Sequence, residues 1–187
     1  MTTLTSRLRL GFVTSLLAMA ITMPVQNSSA ATPAEVDSNV GFALKRLHSQ
    51  VKGSDEVTKK AAGVLVFPGV VKAGFIIAGE GGQGALLIGG KIVAHYDIMS
   101  GSIGLQAGAE KKDIIMAFMD AASLKKFRDS NGWKAGADGS VTLINVGANA
   151  KVDLTKINEP ILGFVVGQSG LMAGVSLDGS KITKSKD

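Results

Sequence analysis

Few side chains in this sequence are equipped for chemistry. There is no cysteine, the histidines are His48 and His95, and His95-Tyr96-Asp97 puts three polar groups on consecutive residues. Two histidines without a thiol make a poor zinc set, and no His-Glu-x-x-His occurs. In a strand the three consecutive residues point to alternate faces, so they form no relay locally. Gly167-Gln-Ser169-Gly170 fails as a nucleophile elbow, because Leu171 stands where the second glycine belongs. Gly79-Glu-Gly81-Gly-Gln-Gly84 spells the G-x-G-x-x-G of a dinucleotide loop. Such a loop must open a helix, yet strand-like Ala-Leu-Leu-Ile follows, and Glu80 puts an anion where phosphates would lie. The segment reads instead as a glycine-rich hairpin. We expect no catalysis, no metal and no cofactor. The remaining enzymatic reading is a hydrolase assembled from distant groups such as His95 and Asp97.

What survives is positive charge beside apolar surface. Lys72 follows a valine run, Lys111 and Lys112 adjoin a strand, and Lys125, Lys126 and Arg128 sit on a short helix. Lys45 and Arg46 lie off the apolar stripe of the first helix or at its edge. A basic head close to an anionic bilayer contributes on the order of 1 kcal/mol. Taken singly, each of these cations reads first as a solvated residue that keeps a sheet soluble. Apolar residues make up 45% of the chain and aromatics 5%, which suits aliphatic strands lining a face or cavity. One Trp and one Tyr offer no stacking platform, so nucleic acid is not an expected partner.

The elements that must position these residues follow in order. Arg7 and Arg9, an apolar run over 10–23 and the small residues Ser28, Ser29 and Ala30 have the plan of a secretory signal peptide cut after Ala30. Its removal lowers the formal charge from +5 to +3. The expected product is one domain, 31–187, exported to the periplasm or envelope, with no cysteine for lipid anchoring. Val36, Val40, Ala43, Leu44, Leu47 and Val51 lay one stripe along a helix of about 18 residues opened by Pro33 and stopped by Gly53. This helix either packs on the domain or enters a membrane interface. A second helix begins at Ser54 as N-cap and closes at Gly63.

Residues 61–87 organise the rest. Val64 to Phe67 reads as a buried strand, Pro68-Gly69 as a forced turn, and the run from Val70 as a second strand. Further strands are expected over 91–99, 112–119, 140–146 and 161–166, a helix capped by Asp120, and a closing hairpin turning at Asp178-Gly179. Gly101-x-x-Gly104-Leu-x-Ala-Gly108 recurs as Gly167-x-x-Gly170-Leu-x-Ala-Gly174, placing glycines where another backbone passes close. Helices do not alternate with strands, which excludes a parallel βαβ sheet. The expected class is α+β: one domain dominated by a curled antiparallel sheet, barrel- or sandwich-like, with an N-terminal helix and one or two short helices.

Gly63-Val-Leu-Val-Phe-Pro68, Lys72-Ala-Gly-Phe75, Gly104-Leu-Gln-Ala-Gly108 and Gly170-Leu-Met-Ala-Gly-Val-Ser-Leu177 together resemble the SYLF lipid-binding domain, called an actin-binding domain in fungi. The resemblance runs from about Val36 to Ile182. It implies a non-catalytic module that binds membrane phospholipid. Where eukaryotic members carry a G-P-x-G-R-like turn, this chain has Asn145-Val-Gly147-Ala-Asn149, without the proline or the arginine. Generic anionic phospholipid is therefore the implied ligand, and actin is not an expected partner of an exported bacterial protein. A structural or protein-interaction module without lipid affinity is the alternative.

Overall fold

The computed structural model describes residues 31–74, 77–103, 110–145, 151–153, 158–172 and 174–186. The leader segment 1–30, the glycine motif 104–108, Phe75, Ala173 and residues 146–149 of the departing turn lie outside the described residues. Helix α1 (Pro33–Gln50) starts at a reciprocal cap: Thr32 and Glu35 satisfy each other's backbone N–H groups, and Pro33 occupies the first turn. Val36, Val40, Ala43 and Leu47 are buried along it, as their spacing requires. The end differs from expectation. Val51 caps α1, while Gly53, at φ +84°, precedes α2 (Ser54–Lys60) as its cap. Ser54 is the first helical residue, and its buried hydroxyl donates to the Val51 carbonyl at 2.7 Å. Glycine reaches the left-handed region without steric cost, so the chain reverses there and frees the serine to satisfy the end of α1.

The strands are β1 (Gly63–Gly74), β2 (Ile77–Ile88), β3 (Lys91–Ile103), β4 (Glu110–Phe118), β5 (Trp133–Lys134), β6 (Thr142–Leu143), β7 (Ile161–Gly167), β8 (Gly170–Leu171) and β9 (Lys181–Lys184), with α3 (Ala121–Arg128) after β4. They form one curled sheet in the order β5-β9-β3-β2-β1-β4-β7-β6, and β8 adds to β7. Among the described residues only β6 against β7 is parallel, so the sheet is mixed but mainly antiparallel, and the α+β class stands.

Each central strand is covered on both faces. Leu65 and Phe67 point into one core, with Ile114, Met116, Phe118 and the α3 residues Leu124 and Phe127. Val64 and Val66 point into the other, with Ile115, Ala117 and the α1 stripe. Two-sided burial explains why β1, β4 and β7 read as continuous apolar runs rather than alternating ones. Phe127 anchors α3 among Phe118, Tyr96 and Trp133, with ring centroids 4.9, 5.0 and 5.8 Å away. Residues 31–187 form a compact unit with both cores inside it.

Three local expectations are corrected. Pro68-Gly69 does not turn the chain: β1 continues through it with one extra residue, a bulge. The glycines of residues 79–84 are not a hairpin turn but the body of β2; the reversal to β3 falls at Gly89-Gly90, both at positive φ. The Asp178-Gly179 turn forms, but β9 pairs with β3 and β5 instead of folding back on 174–177. In each case sheet pairing decided what turn-forming residues alone left open.

Within β2 the glycines are not equivalent. A Cβ on Gly84 would lie 2.1 Å from the Val66 carbonyl oxygen, whereas one on Gly79 would meet nothing within 4 Å. Gly84→Ala should therefore cost upwards of about 2 kcal/mol, and Gly79→Ala no more than about 0.5 kcal/mol. Parallel thermal melts check this, and equal melting temperatures would refute the close approach.

Candidate functional site

The bulge builds the most structured polar site. Phe67 and Val70 of β1 pair with Ile114 and Lys112 of β4, so three steps of one strand cover two of the other. Gly69 sits between them at φ +61°, and its N–H leaves the ladder. The carboxylate of Asp113 accepts it at 2.8 Å through Oδ1. Asp113 is 2% exposed, and its Oδ2 receives no hydrogen bond. The Nε of Arg46, on α1, lies 3.0 Å from that oxygen and balances its charge.

Above Asp113 opens a cleft of about 320 Å³. It is lined by Asn39, Phe42 and Arg46 of α1, by Pro68 and Gly69 of the bulge, and by Lys111, Gly167 and Gln168. A Cβ on Gly69 would lie 2.5 Å from Lys111 Cε, so the glycine also lets that lysine lie across the bulge. A second hollow, around the turn from β7 to β8, shares Lys111 and Gln168 with the first. The second copy of the glycine motif thus forms the turn beside the cleft. Of the charged residues that line it, Asp113 and Lys112 are buried, whereas Arg46 and Lys111 are exposed.

The sequence-predicted cations separate. Arg46 and Lys111 meet at the cleft, and Lys45 stands beside it, with Nζ 5.9 Å from the ring centroid of exposed Phe42. Lys112 also lines the cleft but is corrected as a headgroup ligand: its side chain is 4% exposed and its Nζ is 2.9 Å from Glu80 Oε2. The strand pleat sends Lys111 and Lys112 to opposite faces. Lys72 stands in register with Glu80 and Glu110. Lys125, Lys126 and Arg128 are exposed on α3, across the sheet from α1; Lys125 pairs with Asp129 and Lys126 donates to the Asp138 carbonyl. Sequence reasoning missed Asp113 and Phe42. The available signal was an acid heading the apolar run of β4, with a Pro-Gly pair inside an apolar strand to receive it.

His95 and Asp97 do not act on one another. His95 Nε2 lies 2.8 Å from Asp37 Oδ1 and ties β3 to α1, while Asp97 accepts the Ser185 hydroxyl at 2.8 Å. A more apolar hollow lies between α1, α2 and the β2–β3 turn, lined by Leu44, His48, Val64 and Leu87. His48 Nε2 is 2.9 Å from Thr58 Oγ1. Partial burial lowers its pKa, opposed by the Asp55 carboxylate and assisted by Lys59.

Residues 99–187 match the Ysc84 family, described as Las17-binding protein actin regulator. The chain is also similar to SH3 domain-containing YSC84-like protein 1 from Xenopus laevis, at 27% identity over 136 residues, and from Pongo abelii, at 28% over 136 residues. The matches cover 70% of this chain and 40% of those proteins, so the chain spans under half the length of the curated relatives it matches. The resemblance to the Ysc84 (SYLF) family read from the segments beginning at Gly63, Lys72, Gly104 and Gly170 is borne out. The family match takes in β4 with Lys111 and Asp113, whereas α1 and the bulge precede it.

Glu80→Gln leaves the Lys112 ammonium buried without its counter-charge and should cost about 3–5 kcal/mol. The double variant Glu80→Leu, Lys112→Met should recover most of that loss in denaturant titrations; no recovery would refute the lost counter-charge as its source. The lowered pKa of His48 means the unfolded chain binds its proton more readily. Stability from the neutral imidazole is complete above the ordinary histidine range and is lost as pH falls through the lower folded value. Melting temperature should decline on acidification through that window, and the decline should be shallower in His48→Gln.

Proposed function

We propose that the protein is a non-enzymatic, phospholipid-binding module exported to a bacterial envelope, and that it meets the membrane with the side of the fold bearing the cleft. The observation that carries this reading is the meeting of Arg46 and Lys111 at one cleft beside an exposed aromatic. Phe42 is 58% exposed, and Val71, the register partner of Lys111, is 45% exposed. Apolar side chains flanked by cations are the composition of a surface that lies in a headgroup layer. The α1 stripe is buried, which supports docking by the outer side of a packed helix rather than by its core-facing side. A protein partner is the second reading, favoured by the family description, whose words are Las17 binding and actin regulation. Actin would not be met in an envelope, and the sequence gives nucleic acid no stacking surface.

Flotation of residues 31–187 with neutral and anionic vesicles across a salt series tests the reading. Binding should favour anionic vesicles and weaken with salt. Lys111→Ala should weaken it roughly fivefold, the worth of one cation near the surface, while Lys125→Ala should leave it unchanged. Absence of flotation on every vesicle would end the lipid reading and direct the search to a protein partner.

A further inference from the structure

We propose that one cross-strand row of the sheet, Lys181-Met99-Gly81-Val71-Lys111, docks on an anionic bilayer, with Met99 and Val71 entering the headgroup layer between the flanking lysines. The inference rests on the membrane reading above and deepens it, carrying the contact from the cleft across the sheet. Residues paired in register point to the same face. Lys111 of β4 pairs with Val71 of β1, Val71 with Gly81 of β2, Gly81 with Met99 of β3, and Met99 with Lys181 of β9. Lys134 of β5 pairs with Lys181 and adds a cation at that end. Val70 and Ile98 belong to the core opposite α1, so the pleat turns Val71 and Met99 to the α1 side. There they are not covered. Met99 is 69% exposed, the most of any large apolar side chain among the described residues, and Val71 is 45% exposed.

The neighbouring rows bound this surface. Towards His95, which ties β3 to α1, the paired Gln83, Asp97 and Thr183 are polar. On the other side Gly79 pairs with Gly101, so that pair offers no side chain to shield Met99. Charge selects the occupant. Lys111, Lys134 and Lys181 are exposed, and among the described residues none of them forms a salt bridge, whereas Lys59, Lys112, Lys125 and Lys151 do. Val71 and Met99 stand two strands apart, roughly 10 Å, near enough to enter one patch of lipid together. Apolar side chains between cations suit an anionic headgroup layer, which accepts the first and attracts the second. A second copy of the chain fits poorly, because both ends of the row are basic and would face lysines on the partner.

Gly81 gives the sharpest test, because its φ is not positive and the nearest atom to a Cβ there would be the Ile98 carbonyl oxygen, at 3.6 Å. Gly81→Glu therefore sets a carboxylate in the middle of the row without crowding the sheet. With residues 31–187 and vesicles of phosphatidylglycerol and phosphatidylcholine, Gly81→Glu and Lys181→Ala should each weaken flotation roughly fivefold. The absence of cysteine lets Met99→Cys carry a single environment-sensitive fluorophore. Its emission should rise on these vesicles and be quenched by a lipid-borne quencher. The same label on Ala122→Cys, exposed on α3, should not respond. Flotation of both charge variants equal to that of the unsubstituted protein overturns the row and leaves the membrane reading standing. Equal quenching at positions 99 and 122 also overturns it. Dimerisation without lipid that Gly81→Glu abolishes assigns the face to a second copy and overturns it too. Should Gly81→Glu fail to fold, Lys181→Ala and the label decide. Failure of the unsubstituted protein to float on any vesicle overturns both readings.

Discussion

The fold depends on one extra residue in its central strand. β1 lies between β2 and β4 and is covered on both faces, so every backbone group along it must be paired inside the sheet or by a side chain. At Pro68-Gly69 the ladder cannot close, because proline has no N–H and the bulge turns the glycine N–H aside. The Asp113 carboxylate accepts that N–H, and Arg46 of α1 balances the charge so introduced. One irregularity in pairing thereby links helix, sheet and cleft. It is also why a polar cleft lies where two apolar strands would otherwise run flush.

The same strand geometry sorts the basic residues by task. Lys111 and Lys112 are adjacent in sequence and carry the same charge, yet one lies over the bulge and the other is sealed against Glu80. An ammonium taken out of water needs a close counter-charge, which fixes Lys112 in a structural role. Lys111 is exposed and lines the cleft. A polarity count over the two residues would treat them alike.

Helix α1 serves both the core and the surface. Val36, Val40, Ala43 and Leu47 are each no more than 4% exposed. Exposing four such side chains would cost on the order of 6–10 kcal/mol, which holds the helix to the sheet. The His95 contact to Asp37 and the Arg46 contact to Asp113 add polar ties along its length. Membrane contact by α1 in the proposed function therefore falls to its outer residues, Phe42, Lys45 and Arg46, which the packed stripe holds at a constant orientation.

Much of this architecture was legible in the chain itself. The period of the apolar residues in 36–51 determined α1, the run Val64 to Phe67 signalled a buried strand, and Asp120 and Pro33 marked helix starts, because these are local preferences of backbone and solvent. The glycine motifs were sufficient for the family resemblance. What the sequence left undecided were outcomes of pairing between distant segments. Pro68-Gly69 is compatible with a turn or a bulge until β4 lies beside it, and the glycines of β2 suit a loop until the Val66 carbonyl presses on Gly84. Asp113 looks like the polar start of a strand until Gly69, 44 residues away, presents its N–H. The cleft belongs to that second class. Its charges come from α1 and β4, and only the packing of a helix across a bulged sheet brings them within 3.0 Å.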